Sequence, residues 1–517
     1  MLFERSAGIL LHPTSLPSPG GIGDLGPEAY VFADFLARAR QGLWEVLPLS
    51  PPGMNHSPYS ATSGFAGNPL LVSLERLARH GWIDQNLITR GLPATPHYRI
   101  DFEEVESFKM PLLRQAAQTF LEKSDGNRSR FEDFKRETAW WLDDFVLFEV
   151  IRRVHHRAVW SSWPRELARR EPEGLHRFGM EHQRELEVER AIQFAFFEQW
   201  GALRGYCARR GIRIVGDVAI FVDYDSTDVW RNPELFWLDD NLQPTVVSGV
   251  PPDAFSSTGQ RWGNPLYHWD VCRERGFQWW LQRIDWALRT CDIIRLDHFR
   301  GFESYWEIPA SEPTAVHGRW MKGPKDELFR VLNDRLGDLP FIAEDLGLIT
   351  SEVHALRDRL DIPGMKVLQF AFGDPGAHIY LPHSYIRNCV VYTGTHDNDT
   401  TLGWWRSGAT REERAHAEAY LGPLNEDIVW AFIRVALASV ARFALVPLQD
   451  VLGLGSEARM NTPSRLEGNW GWRFVPGVLT ADLADRLAAL TAMCDRATST
   501  LPGHQQSDRE VREDFAA

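Results

Sequence analysis

Short apolar runs alternate with amphipathic helical stretches along most of this 517-residue chain, and this alternation limits the fold more than any other feature. Several runs are apolar throughout, as expected for parallel strands buried on both faces. Eight runs are strand candidates: Ala7–Leu11, Leu43–Leu49, Ile212–Ile220, Cys291–Asp297, Glu303–Ile308, Pro340–Asp345, Lys366–Phe372 and Cys389–Gly394. Eight strands alternating with helices predict an α/β fold, a closed (β/α)8 TIM barrel. An open doubly wound sheet is the alternative, but no glycine-rich phosphate loop follows the first run.

Two long connections between the runs predict insertions in the βα loops of the barrel. The first is rich in Glu, Arg, Leu, Phe and Trp at helical spacing, which predicts a helical subdomain over about residues 70–209. The second, over about residues 223–285, is rich in turn-forming residues and predicts a loop-rich subdomain. We therefore predict one barrel domain over residues 1–500 with these two insertions, followed by a polar tail over residues 501–517.

The run that ends at Asp297 carries a charged pair. Arg295 and Asp297 are two residues apart, so on a strand both side chains lie on the same face. A neighbouring guanidinium keeps a carboxylate ionised and fixes its direction, and a nucleophile in sugar chemistry needs both. A structural ion pair beneath a loop is the alternative interpretation of this pair taken alone.

Two further acids, Glu344 and Asp397, stand at the ends of later runs. Acids at strand ends converge at the C-terminal face of a barrel, and retaining glycosidic chemistry needs two carboxyls about 5–5.5 Å apart. Apolar neighbours and the adjacent Asp345 are expected to raise the pKa of Glu344, as a general acid requires. The sequence thus favours Asp297 as nucleophile, Glu344 as acid/base and Asp397 as a third carboxylate that orients the substrate.

His298 and His396 each lie beside one of these acids and suit donors to sugar hydroxyls. Structural roles are the alternatives. Glu344 and Asp345 fit the acidic first turn of a helix, and His396 fits a core histidine or a zinc ligand. Metal binding is disfavoured because no second histidine stands at ligand spacing beside His396. Three strand-end acids, two of them flanked by histidine, favour a catalytic site over coincidence.

Composition disfavours several classes of function. A formal net charge of −14 argues against a nucleic-acid partner, and no apolar window is long enough to span a membrane. Five scattered cysteines without metal-ligand spacing predict a reduced, cytoplasmic location, and we expect no metal and no cofactor. Many of the 21 tryptophans are expected in the core, while the remainder suit stacking on sugar rings.

Four segments resemble the signature regions of the α-amylase clan: Val215–Phe221, Arg295–His298, Ala343–Gly347 and Gly394–Asp399. Further segments are similar to one family of that clan, glycoside hydrolase family 77, the 4-α-glucanotransferases: Arg5–His12, Ser57–Tyr59, Ala66–Pro69, Gly249–Asp253, Thr258–Pro265, Arg459–Pro463 and Gly468–Arg473. The resemblance runs from about Arg5 to Phe474. It implies transfer of an α-1,4-glucan segment to the 4-hydroxyl of an acceptor glucan or glucose, through a covalent ester on Asp297. Cyclisation of long glucans is a further implied activity.

The same resemblance implies roles for individual residues. Asp297 would be the nucleophile, Glu344 the acid/base and Asp397 the stabiliser of the transition state. The segment Val250–Trp262, called the lid below, would cover the acceptor sites, and its apolar Phe255 and Trp262 would exclude water. The implied substrate-binding residues are Ser57, Tyr59, Asp217, Asp253, Gln260, Trp262, Arg295, His298, His396, Asn461 and Pro463.

Two rival functions stay open at this stage. A hydrolase of the α-amylase type would use the same three acids, and a non-catalytic glucan-binding protein would need none of them. In each case the partners are α-1,4-glucans and maltooligosaccharides, and either a monomer or a homodimer is compatible with the sequence. Ser464 and Arg465 replace the glycine and threonine often found in the family, which leaves the acceptor preference open.

Overall fold

Eight parallel strands close into a barrel in the computed structural model, which describes residues 4–93, 98–123, 127–253, 256–373, 375–422 and 427–498. The strands of the described residues are β1 Ser6–Leu10, β2 Leu43–Glu45, β3 Arg213–Val218, β4 Val246–Val250, β5 Gln260–Pro265, β6 Ile293–Leu296, β7 Ser304–Pro309, β8 Arg319–Lys322, β9 Phe341–Ala343, β10 Gly364–Val367, β11 Cys389–Tyr392 and β12 Phe443–Pro447. The barrel runs β1-β2-β3-β6-β9-β10-β11-β12 and closes on β1, so its order follows the chain. The predicted (β/α)8 barrel is confirmed.

Apolar side chains fill the interior of the barrel. Because side chains alternate across a strand, every second residue points inward, and the rest pack against the surrounding helices. The inward cluster consists of Leu43, Val215, Ile293, Ile342, Met365, Val367, Val390, Tyr392, Phe443 and Leu445. This packing makes the barrel a solid support for side chains at its C-terminal face.

One strand prediction was wrong in its place and one barrel strand was missed. The run Glu303–Ile308 does form a strand, β7, but it pairs antiparallel with β4 and β8 outside the barrel. The eighth barrel strand is β12, which pairs with β1 and β11. The run Lys366–Phe372 also splits: β10 ends at Val367, and Leu368–Phe372 is a 3-10 helix.

Helices surround the barrel and fill its connections. The longer α-helices are Pro27–Arg38, Phe102–Glu122, Asn127–Val154, Pro172–Glu181, Gln183–Arg209, Gln278–Thr290, Lys325–Leu336, Ser351–Arg359, Arg411–Leu421, Ile428–Ala438 and Ala481–Met493. Shorter ones are Leu74–Arg79, Gln85–Arg90, Arg165–Ala168, Thr227–Arg231, Trp269–Glu274, Arg300–Glu303, Thr401–Gly403 and Leu448–Val451. None of these helices is long and apolar enough to cross a membrane.

The described residues of the connection between β2 and β3 form a series of helices, of which the first α-helix begins at Leu74 and the last ends at Arg209. Its last helix, Gln183–Arg209, also contacts the end of the helix Gln278–Thr290, which leads into β6, where Trp200 Nε1 donates to the carbonyl of Thr290 at 2.9 Å. The treatment of residues 70–209 as a separate subdomain stays a prediction. The predicted tail over residues 501–517 lies outside the described residues.

An antiparallel sheet of order β5-β4-β7-β8 stands beside the barrel. Two connections build it: β4 and β5 come from the segment between β3 and β6, and β7 and β8 from the segment between β6 and β9. The lid connects β4 to β5. The sheet therefore joins the lid to a second, separate loop of the barrel.

A buried arginine seals the seam between the first and last barrel strands. Arg496 is 1% exposed, and its guanidinium donates to five backbone carbonyls, those of Ser6, Leu437, Ser439, Ala441 and Arg442. One side chain after the last strand thereby satisfies carbonyls on both sides of the β1–β12 pair.

Candidate active site

A single guanidinium joins two acids at the C-terminal end of the barrel. Asp217 on β3 and Arg295 on β6 are direct partners in the parallel register, and both face inward. Arg295 Nη1 donates to Asp217 Oδ2 at 2.7 Å and to Asp297 Oδ1 at 2.9 Å. Tyr59 Oη donates to the same Asp217 oxygen at 2.7 Å. Arg295 and Asp217 have 4% and 0% of their side chains exposed, whereas Asp297 keeps 27% open to an incoming group.

Glu344 reaches the same place from β9. Its Oε2 accepts the backbone N–H of His298 at 2.8 Å, and its Oε1 accepts that of Leu346 at 2.9 Å. His298 directly follows Asp297 in the chain, so the first of these bonds places the Glu344 carboxyl beside the loop that carries Asp297. Two backbone donors fix the direction of this carboxyl without adding a charge next to it.

The two carboxyls share one electrostatic environment. Burial raises the pKa of Glu344, and the charge of Asp345 adds to the rise, while Arg295 and the two backbone N–H groups oppose it. Burial likewise raises the pKa of Asp297, and three neighbouring carboxylates add to it against the pull of Arg295. Of the two acids, Asp297 is the one that receives the hydrogen bond from the guanidinium.

Asp397 follows β11 and is held by the segment after β12. Asn461 Nδ2 donates to Asp397 Oδ1 at 2.6 Å, and Arg459 Nη2 donates to the Asp397 carbonyl at 2.7 Å. His396 Nε2 lies 3.5 Å from the same carboxylate oxygen. With 46% of its side chain exposed, Asp397 is more open than Asp297, at 27%.

The two predicted histidines, His298 and His396, are neutral side chains beside the acids. Burial lowers the pKa of His298 to about 3, with Arg300 adding to the shift, and burial also lowers the pKa of His396. His396 stacks on Tyr59, with ring centroids 5.2 Å apart and an interplanar angle of 15°. Among the described residues, His298 Nε2 is buried without a hydrogen-bond partner, which suits a group that binds a ligand hydroxyl.

The lid meets the site through Trp262. Its ring packs edge-on against His298, with centroids 4.8 Å apart, and its Nε1 donates to Gln260 Oε1 at 3.2 Å. Asp253 lies at the tip, where its Oδ1 accepts the backbone N–H of Ser256 at 2.8 Å. Asp253 therefore shapes the tip of the lid, and the predicted Phe255 lies outside the described residues.

Two predicted binding residues, Ser57 and Pro463, lie two positions from residues that bond to site acids, Tyr59 and Asn461. Ser57 Oγ accepts the backbone N–H of Tyr59 at 3.3 Å, so it supports the turn that carries Tyr59. Pro463 is exposed on the segment after Asn461. Direct substrate contacts for these residues, and for the other predicted binding residues, stay predictions.

Sequence reasoning missed two polar residues that face the barrel interior near this site, Glu45 on β2 and Tyr392 on β11. Both are buried, at 1% and 0% exposure. The signal was present for Glu45, because it is a lone acid inside the apolar run Leu43–Leu49. Within the part of the chain that the structure describes, no group of three His, Cys, Asp or Glu side chains is arranged to hold a metal ion.

Comparison with known proteins gives consistent results. A family model described as 4-alpha-glucanotransferase matches residues 11–479. The chain is 48% identical over 505 residues to the 4-alpha-glucanotransferase of Thermus thermophilus, covering 96% of this chain and 100% of the relative. It is 43% identical over 489 residues to the chloroplastic/amyloplastic 4-alpha-glucanotransferase of Solanum tuberosum, covering 93% and 84%. The amylomaltase of Streptococcus agalactiae in complex with acarbose matches with a TM-score of 0.93 at 37% identity, covering 96% of this chain and 100% of that one.

Proposed function

Because this chain belongs to the 4-alpha-glucanotransferase family, we propose that its three strand-end acids transfer segments of α-1,4-glucans between chains by a retaining double displacement. Asp297 is the nucleophile, Glu344 the general acid and then base, and Asp397 the carboxylate that stabilises the transition state. The single observation that carries these roles is the Arg295 bridge. It bonds to Asp297 Oδ1 at 2.9 Å and not to Glu344 among the bonds described.

Charge decides which acid holds the proton before the reaction. Burial favours the neutral form of both acids, and two buried carboxylates close together favour sharing one proton between them. The hydrogen bond from Arg295 stabilises the charge on Asp297, so the proton resides on Glu344. This division gives one ionised nucleophile and one protonated acid, as retaining chemistry needs.

The first step forms the ester. Asp297 attacks the anomeric carbon of the donor glucan, the glycosidic C–O bond breaks, and the leaving oxygen takes the proton of Glu344. Asp397, oriented by Asn461, faces the positive charge that develops on the sugar ring. The neutral imidazoles of His298 and His396 bond to sugar hydroxyls in this proposal.

The second step transfers the donor segment. The Glu344 carboxylate takes the proton from the 4-hydroxyl of an acceptor glucan, whose oxygen attacks the anomeric carbon and expels Asp297. Water competes for the same ester, so the ratio of transfer to hydrolysis depends on how the lid covers the site. Trp262, packed against His298 at 4.8 Å, is the lid residue positioned to do this.

Incubation with maltotriose alone tests the proposal. Transfer yields glucose together with a ladder of longer oligomers, at a nearly constant number of reducing ends. Maltose and glucose alone, with a rising number of reducing ends, would instead identify a hydrolase. No product from the wild-type chain, with binding of maltooligosaccharides retained, would identify a glucan-binding protein.

Three narrower predictions accompany this proposal and wait for their own tests. They are the cytoplasmic location, the choice between monomer and homodimer, and the division of residues 1–500 into a barrel with two inserted subdomains. Fractionation, mass measurement in solution and limited proteolysis address them in turn.

A further inference from the structure

Glu45 is an acid inside the barrel that the proposed reaction does not use. It ends β2, and 1% of it is exposed. Leu43, two residues earlier, belongs to the inward cluster, so the Glu45 side chain also points into the barrel. An acid at this depth needs a partner or must give up its charge.

Three polar side chains face Glu45 from the strands around it. Asp217 and Arg295 follow inward Val215 and Ile293 by two residues, and Tyr392 is itself part of the inward cluster. These are the groups whose charge or hydrogen bonding acts on the Glu45 carboxyl. Arg295 is the same guanidinium that bonds to Asp297.

Some polar atoms of these four side chains have no hydrogen-bond partner. Among the described residues, Glu45 Oε2 and Asp217 Oδ1 are buried without a hydrogen-bond partner, and the Tyr392 hydroxyl lies close to the Glu45 carboxyl. Arg295 Nη1 already serves Asp217 and Asp297 at 2.7 and 2.9 Å. One cation beside three carboxylates cannot neutralise all of them, so at least one is better held as a neutral acid.

We propose that Glu45 is a positioning residue that works as a neutral carboxylic acid beneath Arg295 and leaves the charge of that guanidinium to Asp217 and Asp297. Burial raises the pKa of Glu45 to about 8, Asp217 adds to the rise, and Arg295 and Tyr392 oppose it. Ionisation of Glu45 would draw Arg295 away from Asp297 and loosen the nucleophile. This inference rests on the proposed function, since it concerns the ester-forming residue.

The expected pH dependence follows from the sign of the shift. Glu45 is neutral below a pKa of about 8 and charged above it, so its support of Asp297 is present at neutral pH and is lost as the pH rises through about 8. Glu344 also loses its proton on the alkaline side. The alkaline fall of kcat/KM in the wild type then has two contributions, one of which can be removed by substitution.

Three variants test the inference by maltotriose disproportionation from about pH 5 to about pH 10. Glu45→Gln keeps the shape of the neutral acid but cannot ionise. Glu45→Met keeps the length and removes the polar atoms. Glu149→Gln is the control, because Glu149 is a partly buried glutamate whose pKa is also raised by burial, but it lies on the helix Asn127–Val154.

We expect Glu45→Gln to keep kcat at neutral pH within about threefold and to move the alkaline fall upward by about one pH unit. Glu45→Met should lower kcat about tenfold and change KM for maltotriose less than twofold. Both glutamine variants should have a Tm above the wild type by an amount that grows with pH, since neutral glutamate is the form that the fold favours. Only Glu45→Gln should change the pH profile.

Two results would overturn the inference. If the alkaline fall of Glu45→Gln coincides with that of the wild type, Glu45 does not titrate in the working range. If Glu45→Gln is as slow as Glu45→Met, the charged form is the useful one. A wild-type chain that makes no oligomer ladder fails the proposed function instead, and the two failures are therefore distinguishable.

Discussion

The polar groups at the C-terminal end of the barrel, called the floor of the site, and the antiparallel sheet beside the barrel serve the same site in different ways. The floor consists of Asp217, Arg295, Asp297 and Glu344. The floor holds its groups by buried charge: Arg295 is 3% exposed and links carboxylates on neighbouring strand ends. In the sheet, strand β5 is held at the surface by a side chain that bonds to backbone carbonyls. Arg261 on β5 donates to the carbonyl of Glu312 at 3.0 Å and to that of Ala310 at 3.1 Å, both between β7 and β8. Trp262 on that strand is 39% exposed.

The floor and the sheet are therefore expected to control two different properties of a transferase, the rate of reaction and the ratio of its products. Groups on the floor act on the bonds that break and form, so their loss should lower the rate of every product. Contacts in the sheet act on what reaches the ester, so their loss should change the ratio of products. Each substitution below tests that division.

Asp297→Asn removes the nucleophile and should have the largest effect. We expect kcat to fall by about 10³-fold or more for transfer and hydrolysis alike, because both proceed through the same ester. Product ladders from maltotriose measure the loss of activity, and the Tm measures whether the fold is retained. Asp326→Asn, which alters a surface ion pair with Arg359, is the control and should leave kcat unchanged. Full activity of Asp297→Asn would contradict the role of Asp297 as the nucleophile.

Glu344→Gln removes the proton donor. With maltotriose, kcat should fall by about 10²- to 10⁴-fold, the usual worth of general acid catalysis. A glycoside with an acidic phenol as leaving group needs no proton, so it should still release phenol in a burst while the ester accumulates. Absence of the burst, with the fold intact, would contradict the acid role of Glu344.

Arg261→Met cuts the two hydrogen bonds that hold β5 to the turn between β7 and β8. The two bonds together are worth about 1–2 kcal/mol at this exposed position, so the hydrolysed fraction of product should rise roughly five- to thirtyfold while donor cleavage changes little. Arg319→Met is the matched control: it lies on β8 of the same sheet and bonds to the Glu307 side chain at 2.7 Å, not to the lid strand. If Arg261→Met slows transfer and hydrolysis equally, the sheet affects the bond-breaking step and not only the ratio of products.

Asp345→Asn should have the smallest effect at the pH optimum. The charge of Asp345 helps to raise the pKa of Glu344, so its removal lowers that pKa. The acid form of Glu344 is then lost at lower pH, and the alkaline fall of kcat/KM should move down by about one pH unit. Asp345 is also bonded to Arg357, so the Tm is measured beside the pH profile. If the alkaline fall of kcat/KM occurs at the same pH as in the wild type, Asp345 does not raise the pKa of Glu344.

The site acids were predictable because each follows a local apolar run, and a strand end at the C-terminal face of a barrel is a recognisable position. Strand β12 was not predicted, since the apolar helix Ile428–Ala438 precedes it closely and an apolar run alone does not distinguish a buried strand from a buried helix. Strand β7 was recognised as a strand but assigned to the barrel. Its pairing with β4 depends on a partner far away in the chain, and period-two spacing carries no information about partners.

The partnership between the lid and the turn after β7 was invisible for the same reason. Ala315 N donates to Thr258 O at 3.1 Å, a backbone contact that leaves no mark on side-chain type. Glu45 left such a mark, but a lone acid in an apolar run has no meaning until the strands around it are known. Local chemistry was therefore readable in the sequence, whereas contacts between distant loops were not.

The seam closed by Arg496 has a consequence for how the chain is made. Strand β1 leaves the ribosome first, yet one of its two neighbours, β12, begins at Phe443, and the arginine that bonds to both sides of their pair comes later still. Until β12 has been made, β1 therefore has one open edge that is able to pair with other chains. The nascent protein needs shielding until β12 and Arg496 have been made, so slower translation lengthens its exposure instead of helping it fold.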